Sequence, residues 1–399
     1  MVTSPPADDS FRLDDLANLR VLDLSSVIAG PLAAMTLADL GADVVKVERP
    51  GTGDDARSLH PQFRETGTVF LAFNRGKRSI ELDLASAEGR EAVLRLTEGA
   101  DVLIENFGPG VTDKLGLDFQ SVAARSPRII YATVSAFGDG EIGRRLPGYD
   151  SLIQAFSGMI SITGHPGGPP TRVAPSANDV STGIWLVISI LLALGRRDRV
   201  GHAQHVKAAL IDSALELMAQ QILGTIATGE PVEPLGSGSP STMPNGAFGT
   251  ADGWIVVATA NESQWRRLCE AIDAPELIGD QRFLTLGDRL AAREELQDEL
   301  DRRFAAHPAE TWIEQLRAAR IPVGRINSLA EALAHPLIAE RRLLIPGDRD
   351  GLPQLRLPID PDGSLIGAPP PRLGEHTDEV LREAGFDEET IRWLRAAPR

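Results

Sequence analysis

Between about residues 20 and 135, short apolar runs rich in β-branched residues ("VLDLS", "DVVKVE", "SIELDL", "DVLIENF", "IIYATVSAFG") alternate with segments of helical periodicity such as "SAEGREAVLRLTEGA". Strands joined through helices run parallel, and a parallel sheet has to be covered on both faces, so this alternation fixes the fold class as α/β. The first repeat is the most explicit. Val21-Leu22-Asp23-Leu24 and Val44-Val45-Lys46-Val47 flank a segment in which Pro31 suits a first helical turn and Gly41 a left-handed stop. A dinucleotide-binding turn would place G-x-G-x-x-G after that first strand, whereas this one reads Ile28-Ala29-Gly30-Pro31. The unit is therefore built like a nucleotide-binding βαβ but lacks the glycine cradle for a pyrophosphate.

With 399 residues, the chain exceeds a usual single core and is expected to form two structural units. From 138 to 178 the pattern breaks into Gly- and Pro-rich stretches, "GDGEIGRRLPGYD" and "TGHPGGPPTRVAPSAND", of the kind that carry function. "GIWLVISILLAL", residues 183 to 194, is shorter than the roughly 20 residues a bilayer span needs and reads as a buried helix. "GHAQHVKAALIDSALELMAQQILGTIATG" reads as a strand leading into a long helix, and 229 to 248 as a linker. Beyond it, "AFGTADGWIVVATA" predicts a hairpin turning at Asp252-Gly253, followed by helices of a smaller domain. A Pro-rich strap at 346 to 373 then leads the C-terminus back to another unit. The division expected is 1–212, the first part of a large α/β domain; 213–245, helix and linker; 246–330, the small domain; and 331–399, the returning segment. No repeat of 20 to 50 residues is visible.

The formal charge of -16 opposes phosphate-backbone tracking, so nucleic acid is not expected as a partner. An anionic substrate must be met by local Arg and Lys residues or by helix N-termini. The first residues lack the basic-then-apolar order of a signal peptide, and neither they nor the apolar runs call for a membrane, so a cytoplasmic location is expected. Cys269, the single cysteine, falls in the amphipathic pattern "WRRLCEAI" and reads as packing. His202 and His205 are oddly spaced for a strand and would face opposite ways as solvated or hydrogen-bonded surface residues, so no metal site is expected. "GSGSP" at 236 to 240 holds a serine between glycines but in a linker, not on a strand-to-helix turn, and no P-loop is present. That leaves Asp179, at the mouth of the apolar helix in "SANDVSTGIWLVISILLAL". It is either an ordinary N-cap or a carboxylate held ionised by the helix amides and able to attack an activated acyl group.

Several blocks in order, "VLDLSSVIAGPLAAMTLADLGADVVKVERPGTGD", "NRGKRSIELDL", "ADVLIENFGPGVTDKLGLD", "GYDSLIQAFSGMISITG", "DVSTGIWLVISILLALGRRDRVGHAQHV" and "LGEHTDEVL", make the chain resemble the class III CoA-transferases, which include formyl-CoA transferase, the carnitine CoA-transferases and α-methylacyl-CoA racemase. The resemblance implies an interlaced homodimer with a Rossmann-like large domain and a smaller α+β domain. It implies no covalently bound cofactor, with coenzyme A or an acyl-CoA as substrate and a small carboxylic acid as acceptor. CoA contacts are implied at Ile28, Ala29, Arg49, Leu82, Asp83, Leu84, Asn106, Phe107, Gly108, Lys114, Tyr149 and Asp150. Arg49 and Lys114 would neutralise phosphates and Phe107 would flank adenine or pantetheine, the alternatives being a surface ion pair for Arg49 and core packing for Phe107, Leu82 and Leu84. Asp179 aligns with the nucleophile that forms a mixed anhydride and then an aspartyl-CoA thioester. "GSGSP" would be a lid, shorter in glycine than in the formyl-CoA enzymes, and Ile28 replaces a polar residue there. The racemase branch carries histidine where this chain has Tyr149, and a phenol with an ordinary pKa of about 10 is a poor base, so transfer is favoured over racemisation. An NAD-dependent oxidoreductase using Glu48 as ribose acid, and a non-catalytic CoA-binding protein, are the remaining alternatives.

Overall fold

The computed structural model describes residues 16–347, 351–360 and 367–396. Parts of the 346–373 strap and the outermost residues of the expected first and last segments therefore lie outside the described residues. The chain forms two compact units, one from Met1–Met159, Val173–Leu223 and Leu337–Arg399, the other from Ile160–Arg172 and Gly224–Pro336.

The first unit runs β1 (Arg20–Asp23), α1 (Ala29–Asp39), β2 (Asp43–Glu48), β3 (Lys77–Glu81), α2 (Ala87–Glu98), β4 (Val102–Glu105), α3 (Val111–Leu115), β5 (Ile130–Ser135), α4 (Asp150–Phe156), α5 (Ala177–Val200), β6 (Gln204–Ala209), α6 (Leu210–Leu217) and α7 (Ala219–Thr228), the last crossing into the second unit. The six strands form one sheet in the order β3-β2-β1-β4-β5-β6, parallel throughout. This is the doubly wound Rossmann order, and its strand order reverses between β1 and β4, where such sheets open a crevice at their carboxyl edge.

Period-two alternation divides each strand between two cores. Val21, Val102, Ile104, Ile130 and Ala132 face α1 and α5, while Leu22, Leu103 and Tyr131 face α2 and the C-terminal helices. Each Val, Leu or Ile side chain among them, taken out of water, contributes about 1.5–3 kcal/mol. Gly41 ends α1 at φ 99°. Its N–H returns to Ala38 O and that of Ala42 to Leu37 O, the paired bonds of a Schellman cap.

In this unit three local expectations need correction. The apolar helix is α5, 24 residues long, and it is not buried all round. Leu186, Ile190 and Ala193 are buried, whereas Ile184, Trp185, Ile188, Leu191 and Leu192 are exposed. By length and composition it could cross a membrane, yet its buried stripe packs on α1, β5 and β6 as a core helix does. Second, the long helix after β6 is two helices, α6 and α7, interrupted at Met218. Third, of the two roles expected for His205 it is hydrogen-bonded, with Nε2 2.9 Å from Thr133 Oγ1, and not solvated: its ring stacks on Phe119 and meets Tyr131 edge-on. Burial first, then Lys207, push its pKa down to about 4.

The second unit carries β7 (Asn245–Thr250), β8 (Gly253–Ala258), α8 (Glu262–Ala271), α9 (Arg293–Phe304), α10 (Ala309–Ala318) and β9 (Val323–Arg325), with an antiparallel sheet in the order β9-β8-β7. Gly253 pairs with Thr250, so the hairpin turns on Ala251 and Asp252, one residue earlier than expected. Cys269 is buried in this core with its thiol pKa pushed up to about 12 by burial.

The C-terminal helices α11 (Thr377–Glu383) and α12 (Glu388–Ala396) belong to the first unit. There they cover the sheet edge that β3 would expose. His376 N–H donates to Ser79 O, Ser79 N–H to His376 Nδ1, and Glu81 N–H to Thr377 Oγ1. The motif "LGEHTDEVL" thus does an edge strand's work without being one.

Candidate active site

Ile28, Ala29, Arg49, Leu82–Leu84 and Asn106–Gly108 follow the carboxyl ends of β1 to β4, whereas Lys114 stands on α3 and Tyr149 and Asp150 at the head of α4. After β1, the turn Ser25–Val27 has its polar backbone atoms taken up one by one. Asn106, which follows β4, accepts from Ser26 N–H at 2.9 Å and donates to Ser26 O at 2.8 Å, stitching the two loops together across the point where the strand order reverses. Ile28 and Ala29 follow this turn, Ile28 as the residue that caps α1 and Ala29 as its first. Gly108 is open, since a Cβ there would meet only a Val111 methyl at 3.9 Å.

The other expected CoA contacts divide by what their side chains already do. Arg49 follows β2 and forms an exposed ion pair with Asp55, with a further bond from Nε to Gly53 O. Lys114 is exposed on α3. Leu82 is fully buried in the core, Leu84 and Phe107 pack against that core, and Asp83 accepts from Ala85 N–H. Their backbone, not their side chains, is what the crevice is offered. The Asn106 side chain is likewise spent on Ser26. Glu48, the acid an NAD reading needs, is buried and bound by Arg57, Ser79 and Asp54 N–H, which leaves none of it for a ribose.

Asp179 stands in the first turn of α5 as its third residue. The N-cap is Ser176, with no side-chain capping bond, so Asp179 is not a cap. Among the described residues no hydrogen bond reaches its carboxylate. Burial, and then the negative charge of Asp150, push its pKa up to about 7, where the sequence led us to expect a group held fully ionised. Desolvation outweighs the helix amides because none of them bonds to the carboxylate. A carboxylate with this pKa is more basic, hence a better nucleophile, than an ordinary one, while half of it remains ionised at neutral pH.

Asp150 is buried and internally committed: Oδ1 accepts from Asn178 N–H at 3.0 Å and Oδ2 from Gln154 Nε2 at 2.6 Å. It fixes the start of α5 against α4. Tyr149, just before it, is 71% exposed. Asn178, next to Asp179, is fully buried with neither Nδ2 nor Oδ1 hydrogen-bonded. One turn after Asp179, a Cβ on Gly183 would lie 2.7 Å from Ala29 O, so α5 rests directly on the first residue of α1. The helix that carries the acid and the turn that lacks the dinucleotide glycines thereby pack directly on one another.

Asp150's electrostatic role, Asn178 and the buried charges beneath the first turn escaped sequence reasoning. The signal for the last was present: Asp23 in "VLDLS" and Lys46 in "DVVKVE" are charges inside central parallel strands, positions tolerated only when paired. "GSGSP" lies in the second unit. Gly236 N–H donates to Gly164 O, and Ser237 Oγ accepts from Ala247 N–H, which ties the loop to its own unit. No group of three or more metal-binding side chains occurs among the described residues.

A doubly wound α/β domain binds its ligands in the crevice at the carboxyl edge of its sheet, and here a largely desolvated acid stands beside the turn after the first strand. Comparison with known proteins makes this specific. The profile of CoA-transferase family III matches residues 16–377. Succinyl-CoA:mesaconate CoA-transferase of Haloarcula marismortui is 38% identical over 94% of this chain and 98% of its own. Succinate–glutarate CoA-transferase of Agrobacterium fabrum is 36% identical over 95% and 98%. A crystal structure of a CaiB/BaiF family protein from Brucella suis superimposes with a TM-score of 0.83 at 35% identity, covering 93% of this chain and 99% of that one. The chain belongs to CoA-transferase family III. It is a CoA-transferase, an enzyme whose substrates are CoA thioesters.

Proposed function

We propose that Asp179 carries the CoA exchange covalently. Its carboxylate oxygen attacks the thioester carbon of the donor and expels CoA thiolate, leaving a mixed anhydride. The thiolate then attacks the aspartyl carbonyl, releasing the donor acid and leaving an aspartyl-CoA thioester. The acceptor carboxylate attacks that thioester to form a second anhydride, and the returning thiolate takes the acceptor acyl group, restoring the free carboxylate. CoA lies along the crevice over the backbone of Ile28, Ala29, Leu82–Leu84 and Asn106–Gly108. Arg49, released from Asp55, and Lys114 meet its phosphates. The relatives' names make small dicarboxylic acids and their CoA thioesters the first substrates to try.

The observation that carries this reading is the Asp179 carboxylate itself: largely desolvated, unbonded among the described residues, and on a helix seated against Ala29. The test is chemical. The enzyme is incubated with succinyl-CoA, quenched, treated with hydroxylamine and digested. The peptide containing Asp179 is expected to carry the hydroxamate, and Asp179→Asn is expected to lose both label and turnover. Label on Asp150 or on a serine sinks the assignment.

The exposed apolar face of α5 is, in this reading, covered by a second copy of the chain. Five large side chains on one helix are more than a monomer leaves to water.

A further inference from the structure

Beneath the turn that precedes α1 lies a buried cluster of charges that the transfer chemistry does not use. Asp23, Lys46 and Lys77 are fully buried and Asp54 nearly so. Lys77 Nζ donates to Asp23 at 2.8 Å, to Pro31 O at 3.0 Å and to Asn74 Oδ1 at 2.8 Å, spending all three of its protons. Lys46 Nζ donates to Ser25 O at 2.7 Å and pairs with Asp54 Oδ2 at 2.9 Å. Asp54 Oδ1 in turn accepts from Val27 N–H at 3.1 Å and from Ala56 N–H at 2.9 Å. Asp23 receives Ser25 through both its N–H and its hydroxyl.

These bonds converge on one backbone anomaly. Val27 has φ 69°, in the left-handed region that a β-branched residue avoids. Such a residue persists only where its surroundings over-determine it. Here they do: Ser25 O is fixed by Lys46, both backbone polar atoms of Ser26 by Asn106, and Val27 N–H by Asp54. Relaxing Val27 to negative φ would redirect the chain at Ile28 and Ala29.

We infer that Asp54, braced by Lys46, is a positioning residue that holds Val27 in its left-handed conformation and so presents the Ile28–Ala29 backbone to CoA. The cluster does by internal ion pairing what glycines do in a dinucleotide-binding turn. This rests on the reading that CoA meets Ile28 and Ala29.

A double-mutant cycle tests it. In Asp54→Asn, one carbonyl oxygen cannot serve both Lys46 and the Val27 and Ala56 N–H groups. In Asp54→Glu, the charge opposite Lys46 is kept but the oxygens move away from Val27, which guards against an unfolded Asn variant. Either is expected to raise the KM for acyl-CoA and the Kd for CoA about tenfold, the equivalent of about 1.4 kcal/mol, while kcat at saturating acyl-CoA stays within about twofold. Val27→Gly, which takes positive φ without strain, is expected to recover most of that loss in either background. A purely structural role would lower Tm without this rescue. Unchanged CoA affinity in both Asp54 variants, or failure of Val27→Gly to rescue, overturns the inference. Amide exchange separates this from the underlying placement: residues 25–30 of the unmodified enzyme are expected to gain protection with CoA. If they do not, the placement falls and the inference with it.

Discussion

Asp150 helps to set the behaviour of Asp179. Because burial and the Asp150 charge raise the Asp179 pKa to about 7, the free enzyme's kcat/KM should rise with pH on an acid limb centred near 7, the ionised form being the nucleophile. Stability runs the other way. The native state keeps the Asp179 proton that the unfolded chain releases near pH 4, so this contribution is whole below pH 4 and is lost as pH rises to about 7. Asp179→Asn should therefore match the parent protein's Tm near pH 4 and exceed it at pH 8. Asp150→Asn removes a negative charge, and the acid limb should move to lower pH, with burial holding part of the shift in place. It also sets an NH2 group against Gln154 Nε2. Gln154 cannot simply turn over, because its Oε1 accepts from Val173 N–H at 2.9 Å. Melting should register that conflict as a loss of about 1–3 kcal/mol. An acid limb unmoved by Asp150→Asn would remove Asp150 from the electrostatics of the site.

At the scale of elements, the proposed placement of Asp179 would depend on α5 resting on α1, and at Gly183 the two helices are too close for a side chain. A methyl group there meets Ala29 O at 2.7 Å and Leu32 Cδ2 at 2.9 Å. The first is backbone, in a turn that Lys77 pins through Pro31 O, so α5 has to yield, and Asp179 moves with it. Gly183→Ala should lose about tenfold or more in kcat/KM, since displacement of a reacting group by about 1 Å can cost on the order of a hundredfold. It should also lose about 1–3 kcal/mol of stability. Full activity in this variant would show that the helix contact does not place the nucleophile. Such contacts explain what the sequence could reveal. The parallel sheet was legible because short apolar runs alternating with helical segments, the Pro31–Gly41 helix first among them, are local signals. An acid at the head of an apolar helix is an equally local signal, but it left Asp179 between a cap and a nucleophile, and only the resemblance singled it out. Its pKa direction was not legible, since Asp150 and the burying surface come from elsewhere in the chain. The extent of α5 was hidden because its ends, "ANDVST" and "GRRDRV", are polar while still helical. His205 looked like a surface residue because its neighbours Phe119 and Tyr131 reach it only through the fold.

For the molecule as a whole, the outer face of α5 decides whether one chain is a complete enzyme. Ile184, Trp185, Ile188, Leu191 and Leu192 are 53, 46, 40, 39 and 67% exposed, and they recur at three- and four-residue steps along one side of the helix that also carries Asp179. The same helix buries Leu186 and Ile190 on its other side, so it is apolar almost all round, the pattern of a helix enclosed on every side. In a single chain that requirement is unmet. A net charge of -16 keeps copies apart over long distances, so association has to come from apolar area large enough to overcome like-charge repulsion, which salt screens. Sedimentation should therefore show a dimer whose dissociation constant falls as ionic strength rises. Leu192→Asp, which buries a charge in the proposed contact, should produce a monomer that stays folded by circular dichroism but has lost transfer activity. A monomeric parent protein, or a fully active Leu192→Asp monomer, would leave this face without the partner argued for it.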